Sequence, residues 1–99
     1  MKMAKQKRAI EVVLMERAYQ EKKWPGHSHT VAEWILILQK LLHDAERAWV
    51  TGHGDDQALH EIRKIAATAI ACMEQCGSKP RGEQAKCRKY SFDELNPAD

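Results

Sequence analysis

Four ionisable side chains at helical spacing carry most of the chemistry open to this 99-residue chain. Lys40 and Asp44 stand four residues apart, which puts them on one side of an α-helix. Glu61 and Lys64 stand three apart, and Thr68 follows Lys64 one turn on. If the two segments are antiparallel neighbours across residues 51–56, Asp44 comes level with Glu61 or Lys64, because each lies a similar distance from the turn. Two carboxylates beside two ammonium groups are self-neutralising, and such a face reads as an inter-helix ion cluster that adds specificity more than stability. A second set is aromatic. Trp24, His27 and His29 fall around a Pro–Gly turn, where they read as staple and loop-cap residues, while Trp34 falls on an apolar stripe and reads as core. The cysteines are Cys72, Cys76 and Cys87. The first two are one turn apart on an apolar stretch and read as buried free thiols, since an odd count with no CxxC pair opposes a disulfide framework. A zinc site would need His27, His29 or His53 from separate loops, so no metal is expected there.

Apolar periodicity supplies the elements that position these residues. Over residues 4–22, Ile10, Val13, Leu14 and Ala18 keep helical spacing, with Met15 and Tyr19 as an offset pair. Pro25 and Gly26 stop that helix, since proline disfavours helix in the residue before it. The longest amphipathic pattern follows, with Val31, Trp34, Ile35, Leu38, Leu41, Leu42, Ala45 and Trp49 as its predicted core stripe. Thr30 with Glu33 three residues later makes a capping box, so this helix runs from Thr30 to about residue 50. Residues 51–56 form a polar loop in which Asp55 or Asp56 caps a third helix over 57–75. Leu59, Ile62, Ala66, Ala69, Met73 and Cys76 form its stripe. The small residues of its centre predict close helix approach at a subunit contact, and Gly77 ends it. The expected division is a helical domain over 1–77 and a flexible or loosely docked basic, polar tail over 78–99, with only Tyr90, Phe92 and Leu95 as anchors.

Composition narrows the classes of function. Sixteen basic against 14 acidic residues give a net charge of +2, too little for nucleic-acid binding driven by counterion release. The basic clusters near the two ends read as solvated tails. No run approaches the length of a membrane span, and the start of the chain lacks the apolar run of a signal peptide, so a cytoplasmic protein with no membrane partner is expected. Roughly 75 residues are left to build a core, a size at which a helical monomer is marginal, which predicts a homodimer or higher homo-oligomer.

The spacing ER-x2-Q-x3-W (Glu16, Arg17, Gln20, Trp24), His29 five residues on, W-x3-L from Trp34, and EIRKIAATAIACME from Glu61 to Glu74 resemble the MazG-like branch of the all-α NTP pyrophosphohydrolases. The resemblance spans about residues 16–76. Active members carry EExxE on one helix and ExxD on the next, and these carboxylates hold the Mg²⁺ that bridges the triphosphate and activates water. Laid on this chain, the first motif falls on Lys40, Leu41 and Asp44, and the second on Glu61 and Lys64. Two of the five acidic positions are kept and two are lysine. An ammonium group beside Asp44 and Glu61 takes the place of the metal charge, so the resemblance implies a Mg²⁺ site that is absent or much weakened. It also implies that Trp24, His29 and Trp34 line a nucleotide pocket. Aromatic rings there stack a base, and Lys40 or Lys64 meets phosphate directly.

The expected fold is all-α: three helices, the second and third an antiparallel hairpin, associating into a four-helix-bundle type of assembly. The expected function is binding and sequestering of a nucleotide or nucleotide-derived signal, with no catalytic residue and no cofactor, in the manner of a small phage or prophage anti-defence protein. One alternative is an active Mg²⁺-dependent nucleoside triphosphate pyrophosphohydrolase using Asp44 and Glu61. Another is a non-catalytic protein-interaction module in which Lys40, Asp44, Glu61 and Lys64 are structural.

Overall fold

Three helices make up the architecture of the computed structural model, which describes residues 2–52 and 54–82: α1 (Lys2–Lys23), α2 (Val31–Val50) and α3 (Gly54–Cys76). All regular structure among the described residues is helical. His53, Cys87 and the expected tail anchors Tyr90, Phe92 and Leu95 lie outside them, as does most of the tail.

The helix ends follow from local chemistry. At the start of α2 the Thr30 hydroxyl accepts a hydrogen bond from the Glu33 N–H at 3.2 Å, and the Glu33 carboxylate accepts from the Thr30 N–H at 2.8 Å. This is the predicted capping box, and the bond from the Thr30 backbone holds the Glu33 carboxyl below its ordinary pKa. The start of α3 differs from the sequence expectation. The helix begins at Gly54, so Asp55 and Asp56 sit inside its first turn, where the helix dipole favours carboxylates, and neither serves as the cap. Gly77 has φ of 78°, and the Ser78 N–H reaches back to the Met73 carbonyl at 3.3 Å. A left-handed residue is what lets the chain fold back onto α3 in this way, and glycine adopts it without a steric cost.

α3 lies between the other two helices. It packs against α2 as the expected antiparallel hairpin: Trp34 near the start of α2 bonds Gln75 near the end of α3. It packs against the second half of α1 through polar side chains, with Arg63 to Glu16 at 3.2 Å and Arg17 to Glu74 at 2.8 Å. The backbones of α1 and α2 do not approach each other, so a groove runs between them with α3 as its floor.

The core is narrow. Trp34, Ala45, Ala58, Ala67 and Thr68 are its buried residues, and Ala67 is fully enclosed. The small centre of α3 is thus what lets α1 and α2 both come close to it. Much of the predicted stripe is not covered. Val31, Ile35, Leu42 and Trp49 of α2, and Leu59, Ile62 and Met73 of α3, are about half exposed or more. On α1, Ile10, Leu14 and Ala18 are exposed; of the predicted stripe Val13 alone is half-buried, on a face it shares with Val12, Glu16, Arg17 and Gln20. The reason is geometric: one neighbour covers only part of the wide apolar band of a helix, and among the described residues α2 has only α3 beside it.

Candidate functional site

Trp24 and Trp34 stand on the groove between α1 and α2, a cavity of about 260 Å³. Trp24 is held at the exit of α1 by its N–H, which donates to the Gln20 carbonyl at 2.8 Å. Trp34 is almost fully buried on the opposite wall, beside Ile37 and Leu41. Thr68 and Ala71 of α3 form the floor. Gln20 reaches down from α1, its side-chain amide donating to the Thr68 hydroxyl at 3.2 Å and to the Lys64 carbonyl at 3.4 Å. Arg17 stands at the edge, paired with Glu74 and Glu21. Partial burial works against its charge, but the bonds to these carboxylates outweigh it and raise the guanidinium above its ordinary pKa. The arrangement offers flat apolar walls and a few hydrogen-bonding groups, the make-up of a site for a small planar ligand.

Gln75 fixes one end of this groove. Its carbonyl oxygen accepts from the Trp34 indole N–H at 2.8 Å and from the His29 backbone N–H at 2.7 Å. Its amide donates to the His27 carbonyl at 3.1 Å. One side chain of α3 therefore ties the Trp–His turn and the first turn of α2 together. The rings of His27, His29 and Trp34 meet edge to face, with centroids 4.0 Å apart for the two histidines and 4.9 Å for His29 and Trp34. Of the two histidines it is His27 that lines the groove. His29, the residue expected there, lies behind it.

Lys40, Asp44, Glu61 and Lys64 occupy a different place. Asp44, Glu61 and Lys64 come together with Arg47 around a shallow depression near the α2–α3 turn. It adjoins the groove, because Asp44 follows Leu41 by three residues and Lys64 precedes Thr68 by four, which is about one turn or ~5 Å along each helix. Lys40 lies outside it on the exposed face and bonds Asp44 at 3.0 Å. That bond holds the Asp44 carboxyl below its ordinary pKa, and the charges of Lys40, Arg47 and Lys64 act in the same direction. Lys64 bonds Glu61 at 3.0 Å. The seven sequence candidates thus divide into an aromatic groove with Trp24 and Trp34, its backing His29, and an ionic cluster with the other four.

This donor set does not fit Mg²⁺. Each of the two carboxylates is already taken by a lysine, and a hard divalent ion needs several oxygen ligands with no ammonium among them. Among the described residues no three His, Cys, Asp or Glu side chains come together as metal ligands. Cys72 and Cys76 are free, Cys72 half-buried and Cys76 exposed, so only the first fits the buried reading. Burial, with the neighbouring Cys76 sulfur adding to it, pushes the Cys72 thiol above its ordinary pKa and away from reactivity.

Sequence reasoning missed Gln75 and His27 as parts of the site. A readable signal for Gln75 exists: Glu61, Thr68 and Gln75 recur every seven residues, a polar row beside the apolar stripe of α3. No family model matches the chain, and neither a curated protein nor a solved structure matches it.

Proposed function

We propose that this chain is a MazG-like binding protein that takes a nucleotide or nucleotide-derived signal in the α1–α2 groove without a metal ion and withholds it from other proteins. The observation that carries this reading is the aromatic-walled groove one helical turn from an acid site neutralised by lysine. Trp24, half exposed, offers a ring face on which a base stacks, with the almost fully buried Trp34 backing the groove, and base–aromatic stacking contributes about 1–3 kcal/mol per base. With Asp44 and Glu61 held by Lys40 and Lys64, the site binds the ligand without cleaving it. Such retention is the task of a small phage or prophage accessory protein directed at a host's nucleotide signal.

The reading includes self-association. Ile35, Leu42 and Trp49 recur every seven residues along α2, and Ile62 and Met73 add to the exposed apolar side of α3. Two such hairpins laid face to face form a four-helix bundle that covers these side chains, each buried Å² contributing about 25 cal/mol. Leu42→Glu places a charge in that contact. Sedimentation velocity is expected to give a dimer or larger species for the unmodified chain and a monomer for the variant. A monomeric unmodified chain would sink the assembly.

The test of binding is a thermal-shift screen of the purified protein against nucleoside triphosphates and cyclic nucleotides, each with Mg²⁺ and with EDTA. At a ligand concentration one hundred times Kd, linkage predicts about 2.7 kcal/mol of stabilisation, a shift of several degrees. The expected result is stabilisation that survives EDTA. Stabilisation only with Mg²⁺ would replace this reading by the pyrophosphohydrolase, with Asp44 and Glu61 as ligands. Silence across the panel would select the protein-interaction module, which draws on the same exposed apolar side chains.

A further inference from the structure

Trp24 and Gln20 line two recesses, the aromatic groove and a second one on the other face of the α1–α3 contact. Tyr19, Lys23 and Trp24 of α1 and His60, Arg63 and Lys64 of α3 form the second. Its charge is one-sided. Lys23, Arg63 and Lys64 face a single carboxylate, Glu16, which Arg63 holds at 3.2 Å. Arg63 also donates to Nδ1 of His60, which keeps the guanidinium turned toward the recess. Lys64 reaches Glu61, beyond the recess lining, at 3.0 Å. Lys23 is held differently: its ammonium lies 4.9 Å from the Trp24 ring and 5.7 Å from the Tyr19 ring, over two aromatic faces. A cation resting on rings keeps its N–H donors for an incoming anion, and its flexible stem lets it follow one.

We propose that this recess seats the phosphate end of the ligand whose ring lies in the groove, so that a nucleoside di- or triphosphate bends around Trp24. The proposal rests on the groove reading above. The competing seat is the depression by the α2–α3 turn, lined by Arg47, Lys64, Asp44 and Glu61. With bonded partners counted, each seat has one cation over. At the recess Arg63 pairs with Glu16 and Lys64 with Glu61, which leaves Lys23 on its aromatic faces. At the depression the cation left is Arg47, which stands directly beside Asp44 and Glu61. A phosphate is attracted to the recess and gains little at the depression. Lys64 lines both, so it contributes to the recess while still neutralising the acid cluster.

Titrations in EDTA followed by tryptophan fluorescence test this, with the four common nucleosides, their 5′-triphosphates and inorganic tripolyphosphate as probes. The proteins are the unmodified chain, Lys23→Gln and Arg47→Gln. Lys23 is exposed in the last turn of α1, so its substitution spares the core. The triphosphates are expected to bind more tightly than the nucleosides. Lys23→Gln is expected to weaken triphosphate and tripolyphosphate binding about three- to tenfold while leaving nucleoside affinity unchanged. Arg47→Gln is expected to change none of them. An unchanged triphosphate affinity in Lys23→Gln, or a loss that appears in Arg47→Gln instead, overturns the proposal. If no nucleoside binds but tripolyphosphate binding still falls in Lys23→Gln, the phosphate recess stands and the groove reading falls. If nucleosides bind and triphosphates gain nothing over them, the groove stands and the recess falls.

Discussion

Trp34→Ala is expected to remove most of the stability of the fold, about 3–5 kcal/mol in urea titrations followed by helical circular dichroism. A domain of this size has a total of roughly 5–10 kcal/mol, so the variant will be partly unfolded or close to it. Among the described residues Trp34 is the one large buried side chain, the rest being alanines and Thr68. Its removal opens a cavity between α2 and α3 that a set of alanines cannot close. It also takes a donor from Gln75 and a ring from His27 and His29, so the Trp–His turn loses part of its anchor. Trp34→Phe separates these effects. Phenylalanine keeps most of the ring but not the indole N–H, leaving the Gln75 carbonyl with only its bond to the His29 backbone. The expected cost is about 1–2 kcal/mol. A loss below about 1 kcal/mol in Trp34→Ala would mean that the turn and α2 are held by something other than this knot.

Trp24→Ala is expected to do the opposite: little to stability and much to binding. Trp24 is 49% exposed, and the backbone bond that ends α1 does not involve its ring. Truncation should therefore cost the fold under about 1 kcal/mol. For a base stacked on this ring, loss of the contact weakens affinity by about 1–3 kcal/mol, or roughly 5- to 150-fold. The measurement is isothermal titration of whichever nucleotide the thermal screen selects, with Trp24→Phe as the conservative comparison. Phenylalanine should recover part of the affinity because a ring face is restored. Equal affinity in all three proteins would place the ligand elsewhere.

Trp24 and Trp34 look alike in the sequence, each five residues from His29, yet they have separate work. Trp34 lies on a helical stripe, and its burial was legible from that. Its bond to Gln75 was not, since the two are 41 residues apart. The capping box at Thr30 and Glu33 was readable because both partners lie within one turn. So was the stop at Gly77, whose left-handed conformation is a local property of the chain. The spacing of Lys40–Asp44 and Glu61–Lys64 was readable for the same reason, but the expected bonds across the two helices are not what forms. Each lysine bonds the carboxylate of its own helix, an i,i+4 or i,i+3 contact.

Local rules end where one helix meets another. The apolar stripe of α2 predicted burial of Ile35, Leu42 and Trp49, but a periodic pattern says only which side of a helix is apolar, and burial requires a neighbour wide enough to cover it. Here α3 covers part of the stripe and leaves the rest outside. On α1 the strongest apolar positions lost to Glu16, Arg17 and Gln20, because the face that meets α3 offers Arg63, Glu74 and Thr68 as partners. The sequence by itself determined three helices, the capping box of α2, the stop at Gly77 and the placement of each lysine one turn from its carboxylate, all features closed within a turn or two. Only the tertiary structure decided that α1 and α2 stand apart over α3, which is what opens the groove beside Trp34 and sets Lys23 near Arg63 and Lys64. The physical reason is that helix separation depends on side chains far apart in the chain, such as the enclosed Ala67 and the Gln20–Thr68 contact, whose meeting no local periodicity encodes.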